Sequence, residues 1–586
     1  EEIDLEKIMT HLQMSLPYYM IPNVIIPLEE FPLTPNQKID RKNLTQRNIM
    51  QTKGDFKNAN SKIEKKLLKY WEEVLNRDNI SVNDNFFALG GHSLNAVRLT
   101  GLIAKHLLFE ITLKTIFDYP TIKLLAEHLE RLEPNKTVVI SMDDKKELYE
   151  LTPTQYNIWL ASQDENSSLA YNMFMAYKIE GIIDLDKVEK AINKIVNKYE
   201  ILRTNFVEVN GTPYQKTNYN GIHITVPVIE VQKEETNKII HQLNNKAFNF
   251  QEDFLIRIYL LKEVDQAILL FNTHHIIMDG LSLEIFINEF IKNYRESNFL
   301  PLQDEDQLTF QFNDYSEWFN KIIGMNQAEN ESFWNRYLEN YLPKDTFYKD
   351  SHPKQNQRNG SDYSFEISSE VTLALKELAI KEGVTFYSLL ISVFNILIYR
   401  ISKHTDICIG TIHSGRNISG LANQIGMFAK TLILRTQVSS DIVITDLLKL
   451  TQNNLLTISD YQDLPFDKIS KSIFDVLFVY QNPEFSFDEI ALEDELKLTS
   501  YPVKSQFSRM PIVFNLFENE NKLKGNIDYN SDFFEEETIR FIAEKYNIIL
   551  MEIIKNTSQK VRLLDIRSDN EKNTDFNFDF KFDFKF

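Results

Sequence analysis

From Leu148 to about residue 560 the sequence switches repeatedly between two periods. Helical spacing in DLDKVEKAINKIVNKYE (184–200) gives way to strand-like runs in DQAILLFNTHH (265–275) and FDVLFVYQN (474–482). That switching marks helices alternating with strands. At about 410 residues the region exceeds one ordinary core, so it is expected to fold as two α/β lobes.

A different pattern precedes it. In SKIEKKLLKYWEEVLN (61–76) Ile63, Leu67, Leu68, Trp71, Val74 and Leu75 share one helical face. A loop, RDNISVNDNFFALGGH, leads to a second helix from Ser93. PTIKLLAEHLERL (120–132) reads as a helix with proline in its first turn and Leu124, Leu125, Leu129 and Leu132 turned inward. Residues 61–132 are thus expected to form a small helical domain between polar linkers at 46–60 and 133–147. Residues 1–45 hold one helix, one short strand and proline-punctuated loop, too little to close a core. The end, 561–586, reads as linker or tail. Its last residues, DFNFDFKFDFKF, alternate like a strand with no visible partner.

Composition narrows the partners. A net charge of −20 argues against nucleic acid and anionic membranes. One cysteine, Cys408, excludes an internal disulfide and a cysteine-built metal site. The most apolar stretch (384–402) carries Ser388, Ser392 and Asn395 and is expected as a buried helix. With no basic-then-apolar leader at its start, the chain is expected in the cytoplasm.

Two short stretches carry chemistry. Ser93 follows Gly90 and Gly91 and opens an apolar-periodic helix. A serine there is either a helix cap or an exposed hydroxyl whose attached phosphate the helix N–H groups would favour. His274 and His275 end an apolar run, and Asp279-Gly280 follows. On a strand the two histidines would face opposite ways, so one site could use only one of them. The other reading is a turn with two incidental histidines.

Asp84, Phe86, Phe87, Gly90, Gly91, His92, Ser93 and Leu94 match D-x-F-F-x-x-G-G-H-S-L residue by residue. Residues 61–132 therefore resemble a peptidyl carrier protein of non-ribosomal peptide synthetases, a small four-helix-type domain. The resemblance implies a 4′-phosphopantetheine arm on Ser93, carrying an aminoacyl or peptidyl thioester. Residues 1–45, with LPYYMIP and LTPNQKIDR, resemble the C-terminal end of an adenylation domain. Lys38 falls at that family's lysine and Gln37 replaces its glycine. The nucleotide-binding body is missing, so no amino-acid activation is expected of this chain.

The following region resembles a condensation domain, with motifs in family order. LTPTQYNIWL supplies Gln155 and Trp159. KYEILRTNF supplies Glu200, Leu202, Arg203, Thr204 and Phe206, and HHIIMDG matches H-H-x-x-x-D-G. FNDYSEWF, GTIHSGRN, IGMFAKTLILR and YQDLPFDKI follow. The implied fold is that of chloramphenicol acetyltransferase, with an N-lobe over 148–318, a C-lobe over 319–560 and a tunnel between them. Three departures stand out. Lys198 and Tyr199 replace Arg and His, Ala429 and Lys430 replace Val and Asn, and an arginine-bearing segment after Phe466 is shortened.

The resemblance implies amide formation: a downstream carrier-bound amine attacks the thioester held at Ser93. His275 is implied as the group that positions the amine or accepts its proton, with a pKa near the ordinary 6.5 or so. Gly280 is implied to offer backbone N–H to the oxyanion. Asp279 is implied as structural, held by Arg203 or Arg416, and His274 and Trp318 as packing. Implied partners are neighbouring synthetase modules, the acceptor carrier and a phosphopantetheinyl transferase, without nucleic acid or membrane. An epimerisation domain shares the histidine motif, and a non-catalytic docking platform is a third reading. LTPTQYNIWL lacks the M-Q-E-G pattern associated with D-residue donors, which favours an L-configured donor.

Overall fold

The computed structural model describes residues 57–572 apart from short internal segments, of which 133–139, 297–307, 464–472 and 482–487 are the longest. The adenylation-like residues 1–45 with Lys38, the shortened segment after Phe466 and the alternating tail lie outside the described residues.

The described chain divides into two compact units. One holds residues up to Leu89 together with Tyr119–Arg131; the other holds Gly90–Asp118 and everything from Leu132 onward. In the first, α1 (Lys62–Leu75) buries Leu67, Trp71 and Val74. Trp71 meets Phe86 edge-on at 5.0 Å. The second unit begins with α2 (Ser93–Leu107) and α3 (Leu113–Asp118). The first unit closes with α4 (Ile122–Leu129), whose inward face differs from the sequence expectation. Ile122, Leu125, Ala126 and Leu129 are buried, whereas Leu124 and Leu132 are exposed. Residues at i, i+3, i+4 and i+7 share a face, and Leu124 lies about 100° from that stripe. The proline also falls earlier than expected. Thr121 caps the helix by accepting from Leu124 N, so Pro120 precedes the cap.

After Leu132 the strands run β1 (Tyr149–Glu150), β2 (Asn172–Glu180), β3 (Thr204–Val209), β4 (Thr212–Thr217), β5 (Val228–Glu230), β6 (Ile256–Lys262) and β7 (Ala267–His274). Then come β8 (Gly360–Ile367), β9 (Asp406–His413), β10 (Lys430–Gln437), β11 (Val476–Gln481), β12 (Glu489–Glu493), β13 (Leu496–Ser500), β14 (Ile512–Asn519) and β15 (Lys522–Asn530). They build two six-stranded sheets, β12-β13-β2-β7-β6-β5 and β10-β9-β11-β14-β15-β8, and a small sheet β1-β4-β3. The β12–β13 hairpin therefore belongs to the first sheet although the chain around it builds the second. β13 pairs antiparallel with β2, Leu498 opposite Ile179. Strand periodicity cannot announce such a crossover, because it reports which face is apolar and not which sheet is joined.

β7 lies inside the first sheet and is covered on both faces. Ile268 and Leu270 pack with Ala176, Ile240 and Leu261, while Leu269 and Phe271 join the main core. Two-sided burial explains the uninterrupted apolar run. Helices α5 (Leu185–Lys198) and α6 (Gly280–Arg295) pack on the main-core side. Asp184 caps α5 by accepting from Lys187 N, and Val188, Ala191, Ile192, Ile195 and Val196 are buried. In the second core α7 (Phe386–Ser402) is the apolar stretch noted above, buried from Ser388 to Ile398 without a break. Phe394, Phe478 and Phe514 meet there, the last two stacked at 5.7 Å. Among the described residues no single helix is long and apolar enough to cross a membrane.

Candidate active site

β7 ends at His274, and the chain turns at His275. His274 is wholly buried. Its ring lies among Phe250 (4.8 Å), Phe248 and Tyr171 (6.2 Å each). Its Nδ1 accepts from Ile276 N at 3.2 Å. Burial, with the neighbouring His275, pulls its pKa down to about 3. This is a neutral packing ring. His275 is only half-buried, and its backbone N–H donates to the Tyr171 carbonyl at 2.9 Å. Burial and then the Arg509 cation draw its pKa down to about 4, against the pull of Asp279. The value near 6.5 expected from sequence is therefore corrected downward. The sequence offers no sign that a cation 234 positions onward stands beside this ring.

The turn is held from the opening motif. Thr152 and Gln155 form a reciprocal capping box. Buried Gln155 then sends Nε2 to the Gln215 side chain (3.1 Å) and to the Ile276 carbonyl (3.3 Å).

Asp279 caps α6 and is buried. Its Oδ1 accepts from Ser282 N (2.7 Å) and from Arg416 (3.0 Å). Its Oδ2 accepts from Phe428 N and Ala429 N, each at 3.1 Å. Of the two arginines expected to hold it, Arg416 does so. Arg203 instead donates to the Asn218 carbonyl at 2.8 Å and lies 3.6 Å from Glu200. The 3-10 turn Glu200–Arg203 directs Arg203 along its own loop. Arg416 also donates to the Leu421 and Gln424 carbonyls and to Ser282 Oγ, and its guanidinium lies 4.4 Å from the Phe428 ring centroid. Ser282 Oγ reaches the Gly426 carbonyl at 2.8 Å. IGMFAK thus serves the site through its backbone, and GTIHSGRN through Arg416. Gly415 gives the loop its turn: its φ is +67°, and a Cβ there would stand 2.0 Å from the Phe428 oxygen.

Burial pushes the Asp279 carboxyl up, but Arg416 and the Ser282 donors hold it below the ordinary carboxylate value. A group depressed in this way contributes stability that is complete above the unfolded pKa of about 3.9. That stability is lost as pH falls through the lower folded value. Asp279→Ala strands the buried guanidinium and three N–H groups, those of Ser282, Phe428 and Ala429. Denaturant unfolding should show a loss of about 3–5 kcal/mol; an unchanged midpoint would remove Asp279 from the framework.

Gly280 is the first residue of α6. A Cβ on it would come 3.4 Å from Nε2 of Gln481, at the end of β11. The end of β11, a strand of the second sheet, therefore reaches the α6 N-terminus. Sequence reasoning named neither Gln481 nor Arg509, which the fold brings to the site, nor Ser282, whose place three residues after Asp279 is the local signal of a helix cap. Trp318 packs on the main core, as expected. The departures become structural as well. Lys198 pairs with Glu289 at 2.6 Å. Tyr199 is buried and reaches the Asn423 carbonyl at 3.3 Å. Lys430 is buried, pairs with Asp463 and lies 4.3 Å from the Phe319 ring centroid. Ser93 opens α2, a helix of 15 residues. The first position of a helix is where backbone N–H groups and the helix dipole favour an anion, so this backbone position fits a phosphopantetheine arm.

Comparison with known proteins gives two family matches. The condensation domain matches residues 145–574, and the phosphopantetheine attachment site matches 65–129. Gramicidin S synthase 2 of Brevibacillus brevis is 28% identical over 586 residues, spanning 97% of this chain and 13% of that protein. Bacitracin synthase 3 of Bacillus licheniformis is 30% identical over 578 residues, spanning 96% of this chain and 9% of that protein. The chain thus covers a small part of the length of these relatives. Among solved structures, the X-domain from teicoplanin biosynthesis aligns with a TM-score of 0.66 at 20% identity, over 73% of this chain and 100% of its own. A four-domain nonribosomal peptide synthetase bound to AMP and glycine aligns with a TM-score of 0.64 at 19% identity, over 72% of this chain and 34% of its own. These likenesses are of fold.

Proposed function

Because the chain belongs to the condensation-domain family and has a phosphopantetheine attachment site ahead of that domain, we propose that it forms peptide bonds between carrier-bound substrates. Residues 61–132 are the carrier, 148–318 and 319–560 the two lobes of the condensation domain, and 1–45 the end of an adenylation domain. The phosphopantetheine arm on Ser93 supplies a long tether ending in an activated thioester. The acceptor is the α-amine of an amino acid on a downstream carrier. A phosphopantetheinyl transferase installs the arm.

The observation that carries this reading is the separation of the two histidines: one neutral and packed, the other half-buried beside the α6 N-terminus. His275 is the catalytic residue. Its imidazole is neutral and can accept a hydrogen bond from the amine or take its proton. Two tethered reactants gain much of their rate from orientation, which places positioning on a par with base catalysis. The Gly280 N–H is aimed by the Asp279 cap and stabilises charge developing on the carbonyl oxygen. Arg416 and Asp279 lock the first turn of α6, and His274 fixes the end of β7. Arg203 serves its own loop.

Incubating the loaded chain with a loaded acceptor carrier separates this reading from its rivals. A new amide on the acceptor, with the donor α-carbon unchanged, is expected. An inverted α-carbon without an amide would make the domain an epimerase. No change in either carrier would make it a docking platform.

A further inference from the structure

The C-terminal half sends one uncommitted cation to the histidine. Ser508 is buried, and its N–H donates to the Arg358 carbonyl at 2.9 Å. Its hydroxyl closes on the Met510 carbonyl. Phe507 bridges Asn359. Beyond, the Pro511 carbonyl accepts from Asn530 N at 3.0 Å. The backbone is therefore pinned on both sides of Arg509 just before β14. The side chain itself is exposed. Among the described residues it makes no hydrogen bond or ion pair; its guanidinium lies 5.9 Å from the centroid of the Tyr171 ring. Tyr171 is the residue whose carbonyl accepts the His275 backbone N–H.

Other groups around His275 are already committed. His274 on β7 is neutral, and Asp279 is locked to Arg416 from the loop after β9. On β15 Asp528 also senses Arg509. Burial pushes its carboxyl up to about 6 against that pull, and Asn515 and Asn526 donate to it at 2.8 Å each. Arg509 is left as the one charge beside His275 that makes no hydrogen bond or ion pair among the described residues, its reach to Asp528 being electrostatic only.

We propose that Arg509 is a positioning residue for amide formation: its unpaired guanidinium, held beside His275 by a fixed backbone, keeps the imidazole and the arriving amine in their uncharged forms. The proposal rests on the role given above to His275. A like charge nearby disfavours protonation of either group. An ammonium cannot attack a carbonyl and a protonated imidazole cannot accept a proton, so the cation favours the reactive form of both. Burying Arg509 in an ion pair would cancel the effect, which gives a physical reason for its lack of a partner.

The test is a 13C imidazole titration of the full chain, followed by NMR, with the His275 signal assigned by its loss in His275→Gln. Arg509→Met should raise the His275 midpoint from about 4 by roughly one pH unit, and Arg509→Lys should bring it back down. An unchanged midpoint in Arg509→Met, or a Lys variant as high as the Met variant, overturns the proposal. The titration needs no substrate, so this failure leaves peptide-bond formation untouched. A chain that shows the shift yet forms no amide contradicts the functional reading instead.

Discussion

Ser93→Ala is expected to take up no phosphopantetheine from coenzyme A and a phosphopantetheinyl transferase, and to form no amide. The effect should be complete, because Ser81, Thr100 and Thr121, described hydroxyls of the matched region, are placed otherwise. Ser81 is buried and accepts from Lys57 N at 3.1 Å. Thr100 is buried within α2. Thr121 is engaged as the cap of α4, accepting from Leu124 N at 3.2 Å. Ser93 alone combines the first position of a long helix with the GGHSL stretch. Intact mass after incubation should show one added arm on wild type and none on Ser93→Ala. A variant still carrying the arm would move the attachment site elsewhere.

The second large effect is at His275. His275→Ala should load normally at Ser93 yet form amide about 10²–10⁴-fold more slowly in a single turnover. His274→Ala should behave differently, losing about 2–3 kcal/mol of stability through the cavity left among Phe248, Phe250 and Tyr171, with a smaller loss of rate. The pH dependence separates the proton carriers. A histidine with its pKa lowered to about 4 stays neutral through the physiological range. Rate lost on acidification should therefore track the acceptor ammonium, at or below the value of about 7.7–8.0 for a free α-amino group. His275→Gln would lower the rate without moving that limb. A limb near pH 6.5 or so that vanished in His275→Gln would show an ordinary histidine and contradict the pKa assigned here.

How far the sequence announces this site depends on the kind of interaction. HHIIMDG is local, and its consequences were readable: a strand end, two histidines in different surroundings, and an aspartate needing an arginine. The choice of Arg416 over Arg203 was not readable. Both sit in matching motifs, and only the loop after β9 brings one guanidinium to Asp279. Gln155 looked like one more motif position, yet its amide braces the histidine turn through Ile276 O. Gln481 and Arg509 lay wholly beyond sequence reasoning. They approach from the second sheet, and no periodicity records which side chain crosses to the other. The misplaced face of α4 has a simpler cause. A run of adjacent leucines leaves the phase of the stripe ambiguous, and packing of Ile122 and Ala126 decides it.

The measurement closest to the central claim is a single turnover read by intact mass. The chain is loaded at Ser93 with a labelled acyl group and mixed with a loaded acceptor carrier, for wild type and His275→Ala side by side. The account predicts that the acyl mass leaves the wild-type chain and appears on the acceptor as an amide, while His275→Ala retains it over the same interval. Equal transfer by both proteins, or no transfer by wild type, would contradict it.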